Sequence, residues 1–285
     1  MVRSSIENRK ETLGIFYRSE NKSAATWAKK IYKWVQKKYP NIKVVSVKPK
    51  TLIVLGGDGS ILEAVGKYKN YNPVIIGLNL GRTGFLASVR EPKKFISGLD
   101  RFLKNRFRIT DRIMLEAIVL RKNKKVFSAT ALNDVVVNNL LGVSEIEVKI
   151  SNHPIQYVRG SGVLVATAGG STAYNLSAHG PIIMPHMQCF VISELLDHNI
   201  PTPSIVIDSK EEVKLKIIDF RKHELLSLTK NGKGVDMLLS ADGATIFPIT
   251  VGDVVKMKKS KHVVRFAELE KNYFFKSLQE KFAFR

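Results

Sequence analysis

Leu52-Ile53-Val54-Leu55 is an unbroken apolar run, the pattern of a parallel strand covered on both faces. Val74-Ile75-Ile76-Gly77-Leu78 is a second such run, and Leu13 to Tyr17 reads as another strand. Helical repeats lie between them. In residues 21–38, Trp27, Ile31, Trp34 and Val35 fall on one face and Lys29, Lys30, Lys33 and Lys37 on the other. That spacing predicts an amphipathic helix with both tryptophans in the core. Lys43 to Val47 reads as a short strand, and a helix is predicted from Ile61. Another is predicted over 92–106, with Pro92 at its start and Phe95, Leu99, Phe102 and Leu103 inward.

The period changes near Arg108. Ile113, Leu115, Ala117 and Val119 alternate with outward residues, Asn123-Lys124-Lys125 makes a turn, and Val126 to Val137 returns. Ile146, Val148 and Ile150 alternate up to Ser151-Asn152-His153-Pro154, after which Ile155 and Tyr157 continue. More strands follow around 204–258, one short helix interrupts near Thr172 to Ala178, and Glu268 to Phe284 is again amphipathic and helical. Alternation at period two with short turns predicts antiparallel sheet. The organisation expected is an α/β domain over 1–108, a β-rich domain over 109–266, and a terminal helix, 267–285, returning to the first domain.

Composition narrows the class. A chain of 285 residues with 44% apolar content can bury about three quarters of its unfolded surface and needs no disulfide or metal staple. The one cysteine, Cys189, excludes an internal disulfide and points to a reducing cytoplasm. No apolar run is long enough for a membrane helix, and the N-terminus lacks the apolar core of a secretory signal. Lys and Arg number 46 against 25 Asp and Glu, a net charge of +21. Residues 1–50 carry 13 basic and 3 acidic residues, and residues 256–285 carry 9 and 3. Basic ends attract polyanions. No aromatic-rich basic motif accompanies them, which argues against a nucleic-acid partner.

The chemistry is concentrated in Gly56-Gly57-Asp58-Gly59-Ser60, which follows a buried strand and opens a helix. Glycines there let backbone N–H groups approach a phosphate at the positive end of the helix dipole. An acid inside a phosphate loop is costly unless it accepts a proton or meets a metal ion. The G-x-x-x-x-G-K-[ST] loop is absent, and Leu62 stands where the third glycine of G-x-G-x-x-G belongs. A hydride-transferring dehydrogenase is therefore not expected. The six histidines show no ligand spacing, so no protein-held metal is expected.

Gly-Gly-Asp-Gly after a strand resembles NAD kinases, lipid kinases of the diacylglycerol and sphingosine type, and phosphofructokinases. Four further segments choose among these. Asn79-Leu80-Gly81-Arg82-Thr83-Gly84-Phe85-Leu86 is similar to the NAD kinase segment N-x-G-x-L-G-F-L, with Thr83 in place of Leu. Asn133-Asp134 resembles its Asn-Glu/Asp motif, and Gly170-Ser171-Thr172-Ala173-Tyr174-Asn175-Leu176-Ser177-Ala178 its G-[ST]-T-A-Y-x-L-S-A block. Ala241-Asp242-Gly243 resembles a late Asp-Gly element, although such an Asp also reads as a turn residue.

The resemblance implies a Rossmann-like α/β domain followed by a β-sandwich. It also implies transfer of the γ-phosphoryl group of ATP, or of polyphosphate, to the adenosine 2′-hydroxyl of NAD. A divalent cation such as Mg²⁺ accompanies the nucleotide, and family members form homodimers or homotetramers. By the same resemblance Asp58 is the general base and Gly57 and Gly59 lie against phosphates. Phe85 packs on adenine, and Asn133 and Asp134 bind the nicotinamide ribose. Thr172, Ala173, Tyr174 and Ser177 line the pocket, and Arg159 reaches a phosphate. Ser161 stands where the family carries an Asp for the nicotinamide amide, and Ala168 and Gly169 also depart from the family pattern. Weaker NAD binding is expected from these changes. Two alternatives stay open: a dinucleotide-binding regulator with little or no kinase activity, and a lipid kinase.

Overall fold

The structure, a computed structural model, describes residues 12–81, 84–198, 202–223 and 235–282. Arg82 and Thr83 of the Asn79–Leu86 segment fall outside the described residues, as does the end of the predicted terminal helix. The chain divides into two compact units. One comprises the residues up to Arg112 with those from His262 onward, and the other Ile113–Lys261.

In the first unit, β1 (Thr12–Tyr17), β2 (Lys43–Val44), β3 (Thr51–Leu55) and β4 (Val74–Leu78) pair in parallel in the order β2-β1-β3-β4. Every residue of β3 and β4 is buried. Helix α1 (Lys22–Lys38) starts where the Asn21 side chain accepts the Ala24 N–H, and it buries Ala24, Ala28, Ile31 and Val35. Trp27, half-buried, meets the Phe95 ring edge-on, with centroids 5.0 Å apart, and packs against the core of this unit.

Helix α2 (Asp58–Tyr68) begins three residues before the predicted Ile61. Gly57 is its extended N-cap residue, and Ser60 and Ile61 donate back to the Gly57 carbonyl. The apolar repeat starts at Ile61, so hydrophobic spacing alone cannot see the polar first turn. Gly56 has φ +148°, and a Cβ there would lie 2.4 Å from the Ser60 hydroxyl. This glycine is therefore required by the turn. Pro92–Lys94 forms a 3₁₀ turn that leads into α3 (Phe95–Leu103).

The second unit is a sandwich of antiparallel sheets. Its strands in chain order begin with β5 (Arg108–Arg121, of which Arg108 to Arg112 belong to the first unit), β6 (Lys124–Ala131), β7 (Asp134–Asn139), β8 (Ser144–Ile150), β9 (His153–Gly160) and β10 (Gly162–Thr167). After the short helix α4 (Tyr174–Ser177) come β11 (Cys189–Leu195), β12 (Ile205–Asp208), β13 (Val213–Phe220), β14 (Met237–Ala241), β15 (Thr245–Pro248) and β16 (Val254–Glu268). One sheet runs β12-β11-β10-β7-β14-β15; β16, β13, β8 and β9 follow one another in the second, to which β5 and β6 belong. Inward residues of both, among them Val135, Val163, Val148 and Leu215, form one core.

The strand predicted over Val126 to Val137 is broken at Leu132 and Asn133. The N–H groups of both residues are taken by the Asp242 carboxylate instead of by a ladder. The last residues of β16 belong to the first unit, where Arg265 and Phe266 pair in parallel with Val74 and Ile75. The C-terminal helix α5 (Tyr273–Phe282) belongs to that unit too, tied down by Arg90, which donates to the Tyr273 carbonyl at 2.8 Å and to Ser277 Oγ at 2.6 Å.

Candidate active site

In the first unit, β3 delivers the glycine loop to the N-terminus of α2, where the N–H groups ahead of Ser60 have no intrahelical acceptor. Asp58 sits in that first turn, half-buried. Its carboxylate accepts the Phe85 N–H at 2.9 Å and the Leu86 N–H at 3.2 Å. A carboxylate has about four acceptor positions, so two such bonds orient it and leave capacity for a further donor. Gly84 makes this approach possible, since a Cβ there would lie 2.2 Å from Asp58 Oδ1. Gly59 lies beside Arg18, which donates to its carbonyl and to Glu63. Phe85 is only 5% exposed, with its ring against Phe274 of α5 at 5.9 Å. Little of its surface is therefore exposed.

Sequence reasoning missed Arg112. It is buried, donates to the Phe85 carbonyl, and lies 4.9 Å from the Phe266 ring centroid. Burial pushes its guanidinium below the ordinary range, and the charges of Glu268, Asp58 and Tyr273 oppose that shift. An alternating strand pattern gives no sign that one outward position carries a buried cation close to the loop acid.

In the second unit, Asn133, Asp134, Ala173 and Tyr174 line one cavity of about 460 Å³. Val136, Leu238 and Ile246 give it apolar walls, and Asp242 and Gly243 close one side. An apolar cleft with a few convergent polar groups suits a small organic ligand. Burial, and then the charge of Asp242, push the Asp134 carboxyl up to about 7, and a hydrogen bond from the Tyr174 backbone opposes them.

Four other residues singled out by the sequence do not line this cavity. Thr172 ends a 3₁₀ turn, and Ser177 is exposed at the end of α4. Arg159 is exposed on β9 and lies 3.6 Å from Glu145 across the strand pair. Ser161 links β9 to β10; its N–H donates to the Leu195 carbonyl and its carbonyl accepts from Asn139.

Asn175 holds the Tyr174 segment in place. Its Nδ2 donates to the Ser171 and Pro181 carbonyls, both at 3.1 Å, and its Oδ1 accepts from Ser193 at 3.0 Å. Asn175→Ala strands these buried groups and is expected to cost about 2–4 kcal/mol, read by calorimetry as a lower Tm. Among the described residues, no group of three His, Cys, Asp or Glu side chains could hold a metal ion. Nor is any described helix long and apolar enough to cross a membrane.

A glycine loop at a helix N-terminus on a parallel sheet, and a β-sandwich with a carboxylate-bearing pocket, are parts suited to an enzyme that handles a phosphorylated organic substrate. Comparison with known proteins makes the assignment specific. Residues 44–107 match the ATP-NAD kinase N-terminal domain and residues 132–269 the ATP-NAD kinase C-terminal domain. The chain is 33% identical over 232 residues to an NAD kinase of Natranaerobius thermophilus, covering 81% of this chain and 76% of that protein. It is 31% identical over 251 residues to an NAD kinase of Lachnoclostridium phytofermentans, covering 86% and 84%. Among solved structures, yeast NADH kinase complexed with NADH superposes with a TM-score of 0.85 at 19% identity, covering 98% of this chain and 89% of that one. An NAD kinase from Archaeoglobus fulgidus in complex with ATP gives 0.71 at 18%, covering 94% and 98%. These last two likenesses concern the fold. The chain belongs to the NAD kinase family, phosphotransferases with an alcohol acceptor.

Proposed function

We propose that the protein transfers the γ-phosphoryl group of ATP to the adenosine 2′-hydroxyl of NAD, with Asp58 as the general base. The observation that carries this reading is the carboxylate of Asp58, oriented by two backbone N–H groups at the mouth of a helix N-terminus. Phosphoryl transfer asks mainly for alignment, charge neutralisation and a group to take the proton. The glycine loop and the α2 N-terminus supply the first two for the phosphates, and Asp58 supplies the third. Mg²⁺ enters as part of the Mg-ATP substrate, held by phosphate oxygens and water with few protein ligands. In the second unit, Asn133 and Asp134 offer an amide and a carboxylate to a vicinal diol, and Tyr174 borders them. A reducing cytoplasm suits the single buried cysteine, and a homodimer or homotetramer is the assembly proposed.

The regulator reading has weaker support, because the loop acid and its two N–H partners are all in place. Incubation with Mg-ATP and NAD, followed by an NADP-specific dehydrogenase assay, tests the proposal. NADP formation is expected, and NAD binding without turnover would point to the regulator instead.

Ser161 bears on affinity through the family resemblance alone, since it does not line the cavity of Asn133 and Asp134. A neutral hydrogen bond contributes about 1 kcal/mol and a charge-assisted one about 1.5–3 kcal/mol. Ser161→Asp is therefore expected to lower the KM for NAD by roughly twofold to thirtyfold with little change in kcat. An unchanged KM in steady-state kinetics would remove Ser161 from the nicotinamide site.

A further inference from the structure

Asp242 is the residue at which turn geometry and the dinucleotide pocket meet. It lies in the turn between β14 and β15 with φ +50°, followed by Gly243 at φ +66°. Its Oδ2 accepts the Leu132 N–H at 2.7 Å, and its Oδ1 accepts the N–H groups of Asn133 at 2.8 Å and Asp134 at 3.2 Å. Its own N–H donates to the Asp134 carbonyl at 3.0 Å. The opposite side of the same short segment is held by Thr167, whose hydroxyl donates to the Leu132 carbonyl at 2.6 Å and whose N–H donates to the Asn133 carbonyl at 2.8 Å. Residues 132–134 are thus gripped on both their donor and their acceptor sides, and the segment they form carries Asn133 and Asp134 to the pocket wall.

We propose that Asp242 is a positioning residue for the dinucleotide: its carboxylate fixes residues 132–134 so that Asn133 and Asp134 present a preformed amide–carboxylate pair to the ribose diol. The inference rests on the reading of that pocket as the NAD pocket. Three N–H bonds converge on one carboxylate, far more than a turn of this kind requires, and each goes to the ligand-facing segment. Preorganisation of this sort removes the cost of ordering the segment when ligand binds.

A pH dependence follows from the charges that face Asp134. Among the described residues that line the pocket, only Asp134, Asp242 and Tyr174 are titratable. With its carboxyl pushed up to about 7, Asp134 is neutral below that pH and ionised above it. Sugar hydroxyls donate to the ionised form, so NAD affinity should rise with pH through about 7.

The test uses the full-length protein with Asp242→Asn, and with Asp134→Asn as a second variant. Amide hydrogen exchange at residues 132–134 is read by NMR without ligand, and NAD binding by calorimetry without ATP. Steady-state kinetics are run from pH 6 to 8.5. In Asp242→Asn the Leu132 and Asn133 amides should exchange about tenfold faster, and the Kd and KM for NAD should rise about tenfold. The kcat and the KM for ATP should stay within about threefold. The pH inflection in NAD affinity should move to lower pH in Asp242→Asn, since the like charge has gone, and disappear in Asp134→Asn. A structural defect alone would not move that inflection. Unchanged amide exchange, or faster exchange with unchanged NAD affinity, would overturn the role of Asp242. Absence of NADP from the wild type would overturn only the kinase reading, because exchange and calorimetry still judge Asp242. Failure of the wild type to bind NAD at all would overturn both.

Discussion

Asp58→Asn is expected to lower kcat for NADP formation by about 10²–10⁴-fold, with NAD affinity and folding nearly unchanged. The asparagine side chain has the same shape, so the turn between β3 and α2 can still form. Its one carbonyl oxygen can accept from only one of the two N–H groups, Phe85 or Leu86, that the carboxylate now satisfies. Losing one such bond at a half-buried position costs about 1–2 kcal/mol, small against the stability of a folded domain. The loss of a group able to take a proton is the larger effect, because phosphoryl transfer must release the hydroxyl proton of its acceptor. Steady-state kinetics with an NADP-specific coupling enzyme separate the two. A lowered kcat at constant KM for NAD supports the role, and turnover within about threefold of wild type removes Asp58 as the base.

Much of the site is legible in the sequence because its signals are local. A buried strand running into Gly56-Gly57-Asp58-Gly59 is the pattern that suggests a phosphate loop, and the strand and the helix start lie at either side of those residues. Asn133-Asp134 and Ala173-Tyr174 are separated by some forty positions, yet they line one cavity, because β7 and β10 are neighbours in the sheet. The less legible parts depend on partners far away in the chain. The break at Leu132 and Asn133 is made by Asp242, which is 108 positions from Asp134, and no pattern around residue 132 announces it. Asp242 does read as a turn residue, and it is one. That reading says nothing of where its carboxylate points. Phe85 is another example. As a motif residue it suggests a stacking platform, but the C-terminal helix brings Phe274 onto its ring, and an apolar residue beside a loop acid cannot reveal which neighbour will claim it.

Gly84→Ala is expected to lower kcat about 10²-fold, although the substitution adds a single methyl group. A Cβ at residue 84 would lie 2.2 Å from Asp58 Oδ1 and 2.5 Å from its Cγ, well inside van der Waals contact. Either Asp58 rotates away from the Phe85 and Leu86 N–H groups, or the segment carrying those groups retreats. The first displaces the carboxylate by something like 1 Å and the second takes away the donors that orient it, and misplacement of about that size is enough to cost about 10²-fold in rate. The clash falls on the half-buried Asp58 side chain and on the segment of Phe85 and Leu86, which continues into Ser88 and Val89 bonded to the Gly77 carbonyl of β4, so stability should fall by about 1–3 kcal/mol. Circular dichroism and a thermal melt would establish that the fold persists. The decisive comparison is the double variant. If Gly84 matters only because it leaves room for the Asp58 carboxylate, Asp58→Asn combined with Gly84→Ala should be hardly slower than Asp58→Asn alone, the non-additivity expected of two changes that disable one group. Multiplied losses would mean that residue 84 serves the reaction by a route independent of Asp58.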